Sequence, residues 1–84
     1  MKLFYITFRS VTFAQRGERV LTGAGIRCTM QRTPRWMEEL GCGYALRVWA
    51  ADVAPAVERL RAERVQLRRV YGSRDDGQLE ELTV

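Results

Sequence analysis

Two cysteines and no histidine bound the chemistry open to this chain of 84 residues. Cys42 stands between Gly41 and Gly43, at the end of a polar stretch and just ahead of an apolar run. Flanking glycines give little side-chain cover and a backbone free to bend, so a thiol here can meet another protein or a small molecule. The thiolate is the nucleophile and sulfur carrier, and nearby cations or a helix N-terminus raise its population. Cys28 alternates with Ile26 and Met30 and reads as core packing. The absence of histidine excludes a Cys–His catalytic pair. Two well-separated cysteines without histidine do not make a metal site within one chain, and no cofactor is implied. A Cys28–Cys42 disulfide stays open, but it requires the loop to fold down beside its own strand. The alternative for Cys42 itself is structural, a small residue filling a turn between two glycines.

The elements that must position these residues follow from hydrophobic periodicity. Leu3 to Phe8 alternates as a strand, with Phe4, Ile6 and Phe8 on one side and Tyr5 and Thr7 on the other. Thr12 with Gln15 fits a capping box that opens a helix, and Ser10 is a rival cap. Phe13, Ala14, Val20, Leu21 and Ala24 form its apolar stripe, and Gly23 and Gly25 mark its end. Ile26 to Gln31 alternates as a second strand, and Tyr44 to Trp49 as a third. Residues 32–43 between them form a loop, long for a hairpin, in which Trp36 to Leu40 can make one helical turn. Asp52 can cap a second helix with Pro55 in its first turn and Val53, Ala56, Val57 and Leu60 facing inward. Val65 to Tyr71 reads as a fourth strand.

The order βαββαβ is the split pattern of an α+β, ferredoxin-like fold: four antiparallel strands with two helices on one face. Residues 1–72 make this one domain, and residues 73–84 read as a flexible acidic tail. The topology brings the loop and Cys42 to the end of the sheet where the first strand finishes. Arg9, Ser10 and Thr12 lie at that end, and Arg35 can fold back towards it. The sheet face without helices carries Tyr5, Thr7, Arg47 and Trp49, and an uncovered aromatic face marks an interface. A homodimer through that face is therefore expected. Tyr44 to Trp49 lacks the aromatic signature of an RNA-binding sheet, so base stacking is not its use.

Net charge is +4, with the tail acidic and the body basic. A basic body attracts acidic partners, but thirteen of the fourteen basic residues are arginine, as a GC-rich coding sequence produces. Nucleic acid is not the expected partner. No apolar run is long enough to span a bilayer, and the N-terminal stretch reads as a strand rather than a signal peptide, which implies a cytoplasmic protein with free thiols.

Two segments carry a family resemblance. The first is Ile6 to Ala14 followed by Ala24-Gly25-Ile26; the second is Thr33-Pro34-Arg35 followed by Gly41-Cys42-Gly43-Tyr44-Ala45-Leu46-Arg47. Together, over about residues 3–71, they resemble the small bacterial proteins known as selenium/sulfur carrier-like. The resemblance implies that Cys42 is the carrier thiol, with Pro34, Arg35 and Gly43 as motif companions, Gly41 beside them, and Arg47 closing the motif. Ser10 matches the position after the first strand. Family members often have a serine-rich spacer before Cys-Gly, where this chain has Met37-Glu38-Glu39-Leu40-Gly41. The implied function is non-enzymatic carriage of sulfur or selenium on Cys42, with a cysteine desulfurase or another sulfur- or selenium-transfer protein as partner. The other reading is a small dimeric binding or regulatory module in which Cys42 is structural.

Overall fold

The computed structural model describes residues 2–33 and 43–82. Pro34, Arg35, the expected turn at Trp36 to Leu40, Gly41 and Cys42 lie outside them. The elements run β1 (Leu3–Thr7), α1 (Val11–Gly23), β2 (Thr29–Arg32), β3 (Tyr44–Trp49), α2 (Ala50–Ala62), β4 (Val70–Ser73) and β5 (Leu79–Leu82). All strand pairs are antiparallel, and the order across the sheet is β2-β3-β1-β4-β5. β1 and β2 thus run parallel to each other with β3 between them.

Four strands were expected and five are present among the described residues. Leu79 to Leu82, within the expected tail, pairs with β4 through Val70↔Leu82 and Ser73↔Leu79. The hairpin closes at Asp76-Gly77. Gly77 adopts φ +84°, its N–H donates to the Arg74 carbonyl at 2.9 Å, and the Asp76 carboxylate accepts from the Gln78 N–H at 3.0 Å. Glycine takes that left-handed geometry without a Cβ penalty, and an Asp-Gly pair favours such a turn. The acidic residues of the segment stay exposed while Leu82 packs against the core.

The pleat sorts the side chains. Ile6, Phe8, Leu46, Val48 and Val70 are fully buried on one sheet face, in a cluster with Ala14 and Leu21 of α1 and Ala56, Val57 and Leu60 of α2. Both helices therefore cover the same face. Gly17 of α1 also points inward, where a Cβ would come 3.0 Å from the Phe8 ring and 3.3 Å from Leu46 and Leu60. The missing side chain lets α1 lie close on the sheet.

Helix boundaries differ from the sequence reading for local reasons. Ser10, not Thr12, caps α1: its Oγ accepts from the Phe13 N–H at 3.2 Å. α1 ends in a Schellman turn, with Ile26 N–H bonded to the Leu21 carbonyl at 2.9 Å and Gly25 at φ +78°. α2 begins at Ala50, ahead of Asp52, so Asp52 sits inside its first turn and Pro55 in its second. The cap position falls on Trp49, which supplies no side-chain hydrogen bond. α2 closes with the same Schellman geometry, but its left-handed residue is Arg64 at φ 59°.

Candidate functional site

The loop end of the sheet is built by the register. Thr7, the last residue of β1, lies opposite Ala45, and Arg32, the last of β2, lies opposite Tyr44. Gly43, which precedes β3, thus sits where β1 ends and the chain turns through Arg9 into α1. Gly43 has φ +82°, a conformation that suits glycine, and its carbonyl accepts from the Thr33 N–H at 3.0 Å. The sequence-based placement of Arg9, Ser10 and Gly43 at one end is what the described residues show.

The helix start at this end has open donors. Ser10 occupies the Phe13 N–H and the Ala14 N–H bonds the Ser10 carbonyl, which leaves the N–H groups of Val11 and Thr12 without an intrahelical partner. No acidic residue lies in the first turn to offset the positive end of the helix dipole. Thr12 itself is exposed.

Three arginines surround the same end, two of which sequence reasoning missed. Arg9 is exposed. The Arg32 guanidinium lies 5.3 Å from the centre of the Tyr44 ring and donates to its hydroxyl at 3.3 Å. The backbone N–H of Arg68 donates to the Thr7 carbonyl at 2.7 Å, which ties Arg68 to the end of β1. Among the described residues none of the three is paired with a carboxylate. Arg68 was hidden because the ladder distorts there: the Thr7 hydroxyl accepts from the Arg69 N–H at 3.1 Å and donates to the Arg69 carbonyl at 3.2 Å. Thr33 adds a donor, since its side-chain oxygen is buried without a hydrogen-bond partner among the described residues and the residue is only 8% exposed.

Arg47 does not belong to this group. It lies mid-strand, opposite Tyr5 and Thr29, about 13 Å along β3 from Gly43 at 3.3 Å per residue. It lines instead a cleft of about 500 Å3 at the other end of α1, with Thr22, Arg27, Cys28, Thr29 and Trp49 among its walls. Cys28 is half-buried rather than buried, and it is a free thiol. Its Sγ is 4.0 Å from the Glu18 carbonyl, a long contact. Burial pushes its pKa up, the charge of Glu18 adds to that, and a hydrogen bond with Thr22 works against them. Cys28 departs from full burial because the chain from Ile26 to Cys28 is not paired to β3, and the second strand begins only at Thr29.

The face without helices is less open than its alternation suggests. Thr7, Ala45 and Tyr71 on it are buried, and Tyr5 and Arg47 are half-buried. Trp49 is 52% exposed and stands at the margin, opposite Leu3.

Among the described residues no group of three or more His, Cys, Asp or Glu side chains is placed to hold a metal ion. No helix among them is long and apolar enough to cross a membrane. A family model described as "Putative Se/S carrier protein-like" matches residues 3–72, nearly the span over which the Pro-Arg and Gly-Cys-Gly segments carry the resemblance. No curated protein and no solved structure matches the chain.

Proposed function

The chain belongs to the Se/S carrier-like family, and from that premise we propose that it carries sulfur or selenium, without turnover of its own, as an adduct on Cys42. The observation that carries this reading is the end of the sheet beside Gly43. There lie, at the end of the sheet where Gly43, the residue next to Cys42, enters β3, the open amides of the α1 N-terminus, Arg9, Arg32 and Arg68, which pair with no carboxylate among the described residues, and the Thr33 hydroxyl, which has no partner among them. Such surroundings favour a thiolate, and equally a terminal persulfide or selenide anion, over the neutral form. Ser10 holds the helix end in place, and Arg35, Pro34 and Gly41 belong to the same loop by sequence. In the loading step a donor enzyme's persulfide is attacked at its outer sulfur by the Cys42 thiolate. The new S–S bond forms as the donor's S–S bond breaks, and the donor leaves as its thiolate, so no external oxidant is needed. The partner is accordingly a cysteine desulfurase or an equivalent selenium-transfer protein.

The ferredoxin-like reading of the four strands β4-β1-β3-β2 fits this role, because in that arrangement β3 lies beside β1 and Gly43, which precedes β3, comes to the end of the sheet where α1 starts. The test is alkylation of the wild-type protein by iodoacetamide against pH, followed site by site. Cys42 is expected to react first, with a midpoint below the ~8.5 of an unperturbed cysteine. A midpoint at or above that value, or Cys28 reacting as fast as Cys42, contradicts the reading. The second reading, a dimeric binding module, is favoured by the exposure of Trp49. It requires a dimer in sedimentation that Trp49→Glu dissociates.

A further inference from the structure

The cleft that contains Arg47 lies away from the end of the sheet at Gly43. It arises where β2 parts from β3. The ladder begins at Thr29↔Arg47, so the edge of β3 away from β1 has, at Val48 and Trp49, no strand beside it among the described residues. The Schellman turn at the end of α1 fixes the other wall, delivering Gly25, Ile26, Arg27 and Cys28 alongside. Both walls are anchored by backbone hydrogen bonds, so the cleft is pre-formed. Its volume of about 500 Å3 is within the range of small-molecule sites.

The chemistry of the lining is one-sided. Arg27 and Arg47 both line the cleft, and among the described residues no carboxylate does. Among the described residues neither guanidinium has a hydrogen-bond or ion-pair partner. Arg47 is half-buried, and a guanidinium partly removed from water without a counter-ion is a cost that a bound anion would offset. Thr22 and Thr29 add hydroxyl groups, and Trp49 adds a flat, half-exposed indole. Two forked cations match a dianionic tetrahedral group better than a single carboxylate. The indole matches a planar ring.

We propose that this cleft binds a small organic phosphate that carries a flat ring, with the phosphate on Arg27 and Arg47 and the ring against Trp49. Cys28 lies in the same wall and reports occupancy.

Phenyl phosphate is the probe, followed by amide shifts in 1H–15N spectra of the full chain. Saturable shifts are expected at Thr29, Arg47 and Trp49, with inorganic phosphate weaker and phenol without effect. Arg47→Gln and, separately, the exposed Arg27→Gln should each weaken binding by about tenfold or more, as loss of a charge-assisted contact does. The spectrum of each variant shows whether it is folded, and Arg27→Gln serves if Arg47→Gln is not. Phenyl phosphate should also slow modification of Cys28 by a maleimide. Cys42→Ser should bind as wild type does, which separates this proposal from the carrier reading. Absence of shifts at millimolar probe, equal affinity in a folded arginine variant, or phenol binding as well as phenyl phosphate would overturn it. Shifts centred on Arg9, Arg32 and Arg68 instead would do the same.

Discussion

Replacing Gly17 by alanine sets helix propensity against packing, and the structure decides which wins. Alanine is favoured over glycine within a helix by about 1 kcal/mol. At Gly17 the new methyl would meet Phe8 Cζ at 3.0 Å and Leu46 Cδ1 and Leu60 Cδ2 at 3.3 Å, all closer than the ~3.5–4.0 Å optimum for carbon pairs. Phe8, Leu46 and Leu60 are 0% exposed, so none can retreat into solvent. Overpacking of this kind costs about 1–3 kcal/mol. The net expectation is a loss of about 1 kcal/mol. Gly23, the last residue of the same helix, has nothing within 4 Å of the added carbon, so Gly23→Ala should keep the propensity gain, up to about 1 kcal/mol. The two variants should therefore differ by about 2 kcal/mol, or very roughly 8–16 °C in Tm for a domain of this size. Paired urea and thermal unfolding, followed by circular dichroism, measure the difference. Equal stabilisation by both substitutions would contradict the close approach of α1 to the sheet at Gly17.

Three further outcomes follow from single residues. Thr7→Val removes the hydroxyl that bonds both the N–H and the carbonyl of Arg69 at a 2%-exposed position, and should cost about 1–3 kcal/mol in urea unfolding. Arg64→Gly relieves a left-handed residue at φ 59° in the α2 Schellman turn and should add about 1 kcal/mol in the same assay. Cys28 has a folded pKa above its unfolded value, so the fold holds the proton more tightly. Its contribution is whole below the unfolded ~8.5 and is lost as pH rises through the folded value. Stability of the wild type should thus fall more steeply above that pH than stability of Cys28→Ala, as urea midpoints across alkaline pH would show.

Much of the frame was legible in the sequence. The alternation in β1 and β3 named the buried Ile6, Phe8, Leu46 and Val48, and the stripes of α1 and α2 named the buried Ala14, Leu21, Ala56, Val57 and Leu60. What periodicity cannot show is pairing. Ile26 to Cys28 continues the alternation of β2 but leaves the ladder, and Val65 is buried after the α2 cap although β4 begins only at Val70. β5 was hidden because Glu80 and Glu81 make its sequence look solvated, while the Asp76-Gly77 turn that would have revealed it was read as part of a tail. Gly17 carries no apolar signal, although it faces the core. At the site, the meeting of Arg9, Ser10 and Gly43 followed from topology alone. Arg32, Thr33 and Arg68 depend on register and on the distortion at Thr7, which no spacing in the sequence announces. Arg47 entered through its place in the motif, and strand rise sets it about 13 Å along β3 from Gly43, in the wall of the cleft.

Intact-mass measurement after incubation with a cysteine desulfurase and cysteine tests the central claim most directly. Wild type and Cys28→Ser should each gain one sulfur atom that a reductant removes, and Cys42→Ser should gain none. A wild-type protein that gains no sulfur, or a gain that persists in Cys42→Ser, would contradict carriage on Cys42.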